Sequence, residues 1–107
     1  MATTREQYRA RMRSLYARLA EAQHMADKAD KEWNRLNIAL NARIEATRRQ
    51  RLKEGRRLKK MEVNNYKSED IDLSDAFAVQ SWWRTQAMYI SSLILAEKAM
   101  WDEFGGS

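Results

Sequence analysis

Cysteine and proline are both missing from this chain of 107 residues, and glycine occurs only three times, at Gly55, Gly105 and Gly106. Without Cys there is no disulfide framework and no thiolate zinc site. The absence of Pro, with a single Gly before the C-terminal end, removes the turn residues that a succession of short strands needs, which argues against an all-β sandwich or barrel. Histidine is as sparse. His24 stands alone, and neither a Ser/His/Asp set nor a repeated Glu-x-x-His motif accompanies it. The acids Asp70, Asp72 and Asp75 are spaced like the start of a calcium loop but lack its central Gly and closing Glu. No catalytic residue, cofactor or metal is therefore expected, and the chain reads as a non-enzyme.

Long apolar runs are lacking too. The longest uncharged stretch, residues 85–96, falls short of a membrane span and contains Thr, Gln and two Ser. The opening Met-Ala-Thr-Thr-Arg-Glu-Gln has no signal-peptide core. A soluble protein, intracellular or inside a macromolecular particle, is the expectation. At this length one domain with a modest core is expected, burying roughly two-thirds of the unfolded surface.

What the chain does have is a heptad seam. Tyr8, Met12, Leu15, Leu19, Ala22, Ala26, Ala29, Trp33, Leu36 and Leu40 follow one another in alternating steps of four and three, and Ile44 extends the pattern. Such spacing lines one narrow stripe of a helix and suits a coiled coil or a slender bundle. The small residues at Ala22, Ala26 and Ala29 leave room for a close backbone or a bulky partner side chain. Past Ile44 the seam dissolves into RRQRLKEGRRLKK, residues 48–60, where Gly55 can mark a kink.

A second helix is apolar on two neighbouring stripes. Trp83, Ala87, Ile90, Ile94, Trp101 and Phe104 form one, and Trp82, Tyr89, Leu93, Ala96 and Met100 form the other. The boundaries expected are a helix over about 3–61, a loop over about 62–74 capped by Asp72 or Ser74, and a helix over about 75–104. The fold class is all-α, a helical hairpin of one long heptad helix and one Trp-rich helix.

Helix lengths of about 80 Å and 45 Å leave much of the seam without a partner in a simple hairpin. A homo-oligomer is therefore expected, an intermolecular coiled coil or bundle with Tyr8, Met12, Leu15, Leu19, Trp33, Leu36, Leu40, Trp82, Trp83, Ile90, Ile94, Trp101 and Phe104 at its interface. Its function would be that of a structural or adaptor protein, joined to a protein partner in a larger assembly such as a virion or secretion apparatus.

Charge supports a second reading. Residues 1–62 carry 17 basic and 8 acidic side chains, and residues 63–107 carry 3 and 7, within a net charge of +5. The basic concentration at Arg48, Arg49, Arg51, Lys53, Arg56, Arg57, Lys59 and Lys60, in a segment that begins at Arg43, can neutralise phosphates, as a nucleic-acid-binding regulator or packaging protein requires. These cations point around the helix rather than along one face, and the competing view is a solvated helix end. A small helical inhibitor that docks its Trp-rich helix on a host protein is the third reading.

Overall fold

The structure, a computed structural model, describes residues 4–105. It is all-α: α1 (Arg5–Lys53), α2 (Lys60–Ser68) and α3 (Ile71–Met100), with a short π-helical turn (Trp101–Gly105) after α3. Among the described residues there is no strand.

Both ends of α1 follow from local chemistry. At its start, the Gln7 amide donates to Thr4 Oγ1 (3.2 Å) while the Thr4 amide donates to Gln7 Oε1 (3.0 Å), a reciprocal capping box that satisfies amides with no helical partner. At its end, Gly55 adopts φ +76°. The Arg56 amide then reaches back to the Arg51 carbonyl (2.7 Å) and the Gly55 amide to the Leu52 carbonyl (3.0 Å). This is a Schellman stop, which needs a residue free to adopt a left-handed conformation. Gly55 thus ends the helix rather than kinking it, and α1 stops at Lys53 instead of continuing to about 61.

The expected loop over 62–74 is largely helix. Lys60–Ser68 forms α2, whose first residue is preceded by Lys59 without a side-chain cap. The next helix starts at Ile71 because Asp70, not Asp72 or Ser74, is its cap: Asp70 Oδ1 accepts from the Leu73 amide at 2.8 Å. The other oxygen, Oδ2, accepts from Arg43 Nη2 at 2.9 Å.

The chain divides into two compact units, one made of residues up to Asp27 with those from Ser81 onward, the other of Lys28–Gln80. In the first, Met12, Ala22, Ile90 and Ile94 are buried together, with Tyr8, Leu15, Leu19, Trp83 and Ala87 packed around them. Tyr8 stacks flat on Trp101, centroids 4.6 Å apart and planes 7° apart. Arg11 lies 3.4 Å from Glu97. These pairings make α1 and α3 antiparallel within this unit. Trp83 supplies a bulky side chain to the cluster that contains Ala22, where the sequence left room for one.

In the second unit Leu40, Ile44 and Leu73 are buried, with Trp33, Leu36, Leu58 and Val63 against them. Ala29 is buried as well. A polar pair interrupts the apolar contacts: Gln80, only 6 % exposed, donates through Nε2 to Asp30 Oδ1 at 2.6 Å. Pairing them satisfies a buried amide, and a slipped register would strand it, so the pair favours one alignment of the two helices.

The seam of α1 is therefore occupied within the chain. Tyr8, Met12, Leu15 and Leu19 pack with Trp83, Ile90 and Ile94 of α3 and Trp101 of the following turn, and Trp33, Leu36 and Leu40 pack in one cluster with Leu58, Val63 and Leu73. α1 is shorter than expected, and Leu58 with Val63 of α2 packs against it near Leu40 and Ile44, so the helix lengths no longer call for a second copy along the seam.

Candidate interaction surfaces

The first surface lies on α3 in the first unit. Trp83, Ile90 and Ile94 turn inward, and residues one step along the helix are rotated by about 100° from them. That rotation places Trp82, Gln86, Tyr89, Leu93, Ala96 and Met100 on a stripe beside the core, in steps of four and three. Trp82, Tyr89 and Met100 are each more than half exposed, as is Phe104 in the turn that follows. Trp82 meets Trp83 edge-to-face, centroids 4.6 Å apart. Of the residues expected at an oligomer interface, Trp82 and Phe104 are thus the two that remain open, while Tyr8, Met12, Leu15, Leu19, Trp33, Leu36, Leu40, Trp83, Ile90, Ile94 and Trp101 are buried or partly buried inside the chain.

Thr85, Ser92 and Ala99 flank this stripe on the side away from the core. Their spacing of seven makes a second row of small residues. The hydroxyls are already satisfied, Thr85 Oγ1 donating to the Ser81 carbonyl (2.9 Å) and Ser92 Oγ to the Met88 carbonyl (3.0 Å). The flank consequently presents carbon to its surroundings and leaves no hydroxyl needing a partner. Beyond it lie Leu95 and Met88, both largely exposed. The uncharged exposed arc of α3 is much wider than the stripe that faces α1.

The second surface is the basic segment. Its charges are less free than the sequence implied. Arg48 and Arg49 share Glu45, at 3.8 and 3.6 Å. Arg51 pairs with Glu62, and Arg56 with Glu54. Hydrogen bonds from these guanidinium groups hold the carboxyls of Glu62 and Glu54 below their ordinary range. Among the described residues Lys53, Arg57, Lys59 and Lys60 have no ion-pair partner. Two of these, Arg57 and Lys60, join Arg48, Leu52, Leu58 and Val63 around a cavity of about 470 Å³ in the second unit. The sequence drew attention to the cations but not to this cavity, because its lining comes from α1, the 56–59 stretch and α2, which only the fold brings together.

A smaller cavity of about 350 Å³ in the first unit is lined by Tyr8, Arg9, Met12, Arg13, Tyr16 and Lys98. Lys98 Nζ sits 5.5 Å from the Tyr16 ring centroid, and hydrogen bonding to Tyr16 raises its pKa above the ordinary lysine value.

His24 is exposed on α1. Asp70 is engaged by the Leu73 amide and by Arg43. Among the described residues no three His, Cys, Asp or Glu side chains converge as metal ligands, and no helix is long and apolar enough to cross a membrane. No protein-family model, curated protein or solved structure matches the chain.

Proposed function

We propose that this chain is a non-enzymatic structural or adaptor protein that assembles with copies of itself through the outward stripe of α3. One observation carries the reading: Trp82, Tyr89 and Met100 stand exposed on one stripe of alternating steps of four and three, on a helix with no charge from Thr85 to Ala96 on any face. A helix uncharged all round is stable when covered on several sides, and α1 covers one of them.

The fitting occupant is another helix, since steps of four and three match the knobs of a partner at the same spacing. A copy of this chain suits it best. Charges beside a heptad seam set partner choice and orientation. Here the neighbours are the intramolecular core with the Arg11–Glu97 pair on one side and Thr85, Ser92 and Ala99 on the other, so along residues 85–96 the stripe meets no charge from its own helix, which suits its pairing with itself across a two-fold axis. The interface expected along α1 is thus moved to α3, with Trp82 and Phe104 kept from it.

Light scattering on the full chain at low and high salt tests the proposal. The expected result is an oligomer that persists at high salt, because apolar contacts are not screened, and that the exposed-site substitution Tyr89→Glu reduces to single chains without loss of helical circular dichroism. A single-chain mass for the unaltered protein would overturn it. So would a complex with a mixed-sequence DNA duplex that dissolves as salt rises while the free protein stays monomeric, which would favour the nucleic-acid reading.

A further inference from the structure

The cavity at the end of α1 is half cationic and half aliphatic, with Arg57 and Lys60 unpaired among the described residues and Leu52 exposed. Arg48, Arg57 and Lys60 supply three positive charges; Leu52, Leu58 and Val63 supply the apolar wall. The carboxylates nearby are taken up elsewhere. Glu62 is held by Arg51 and Glu54 by Arg56, neither of which lines the cavity. Glu45 is divided between Arg49 and Arg48, and its distance to Arg48 is 3.8 Å. Arg57 and Lys60 have no ion-pair partner among the described residues. Three like charges gathered beside aliphatic side chains repel one another, and an anion among them would relieve that repulsion.

Leu52 is 56 % exposed although it faces into this space. A bare phosphate, or a phosphate of a nucleic-acid backbone, would neutralise the cations and leave the aliphatic wall wet. An anion that carries an alkyl chain would answer both halves at once. A volume of about 470 Å³ lies within the range of small-molecule sites, which combine a mostly apolar lining with a few convergent polar groups.

We propose that this cavity binds a single-chain amphiphilic anion, an alkyl carboxylate or alkyl phosphate. Arg48, Arg57 and Lys60 hold the head group, and Leu52, Leu58 and Val63 bury the first part of the chain. Arg57 supplies a planar fork suited to two anionic oxygens, and Lys60 a compact point charge. The site is independent of self-assembly, since none of its lining residues lies on the α3 stripe.

Titration calorimetry on the full chain, with alkyl phosphates of increasing length kept below their micelle concentrations, tests the assignment. Affinity should rise about fourfold for each added methylene, the roughly 0.8 kcal/mol of burying a CH₂, until the wall is covered, and then level off. The double substitution Arg57→Gln with Lys60→Gln should weaken binding at least tenfold, and Leu58→Asn should flatten the dependence on chain length. Tyr89→Glu, on the α3 stripe, should leave binding unchanged, which separates this site from adsorption to the exposed Trp82 face and keeps its outcome distinct from that of the assembly test. Inorganic phosphate or a DNA duplex binding as tightly as the alkyl phosphate would overturn the proposal in favour of a phosphate-only surface. Equal binding of an uncharged alkyl glucoside would overturn it in favour of an apolar patch. Binding confined to vesicles of anionic phospholipid, with none to the monomeric amphiphile, would overturn it in favour of a membrane-facing surface.

Discussion

Gly55 is a residue where one atom decides the outcome. Its φ of +76° lies where a Cβ is strained, and a Cβ placed there would meet no other atom within 4 Å. The penalty for Gly55→Ala is therefore purely conformational, about 1–2 kcal/mol of lost stability by chemical denaturation. Had Gly55 been a kink inside a continuous helix, the same substitution would stabilise by up to about 1 kcal/mol, since Ala is the better helix former. The sign of the effect thus tests the helix stop directly. A glycine among basic residues is legible in the sequence, but stop and kink share that signature. What separates them is the pair of reverse hydrogen bonds from Gly55 and Arg56, which needs the following chain to turn away.

At the scale of the element, α1 and α3 were readable because each has a long, regular apolar period. α2 was not. Its nine residues include Asn64 and Asn65, which favour turns, and none of its side chains is fully buried. Tertiary contacts hold it: Val63 against the Leu40, Ile44 and Leu73 cluster, and Glu62 against Arg51. Glu62 makes this attachment pH-dependent. The hydrogen bond from Arg51 lowers the carboxyl pKa in the folded state relative to the unfolded chain. The contact therefore stabilises above the ordinary carboxylate range, and its contribution is lost as pH falls through the depressed folded value. Comparison with Glu62→Gln isolates it. The unaltered protein should be the more stable of the two near neutral pH, and the difference should close on acidification below about pH 4, followed by thermal unfolding.

The same distinction applies to the candidate sites. The α3 stripe could be traced from spacing alone, since residues on one helix keep their angular relation whatever surrounds them. The cavity lining could not, because Leu52, Arg57 and Val63 belong to three segments whose approach depends on the stop at Gly55 and the docking of α2.

For the whole molecule, the uneven charge of the sequence is partly resolved inside each unit. Arg11 meets Glu97 in the first, and Arg43 meets Asp70 in the second, each pairing the basic early part of the chain with the acidic later part. These pairs lie at partly exposed positions and contribute little to stability individually. They agree in direction with the antiparallel packing of α1 and α3 in each unit. What the charges leave uncovered is apolar, the outward arc of α3. If copies cover it, folding and association are linked, and the thermal midpoint should rise with protein concentration by mass action. Calorimetric scans across a hundredfold range of concentration should show that rise, and Tyr89→Glu should abolish it.

By itself the sequence determined that the chain is helical, that α1 carries a continuous heptad seam, and that α3 carries two apolar stripes with no charge between Thr85 and Ala96. These properties follow from periodicity along one helix and do not depend on a partner. Only the tertiary structure decided which surface fills the seam. Heptad spacing specifies the shape of a complementary helix but not whose helix it is, and a second copy satisfies it as well as a returning segment. The choice fell to the helix stop at Gly55, the cap at Asp70 and the polar pair of Asp30 with Gln80, which set where α3 begins and how it aligns with α1. Once α3 filled the seam from within the chain, its own second stripe became the face left to solvent.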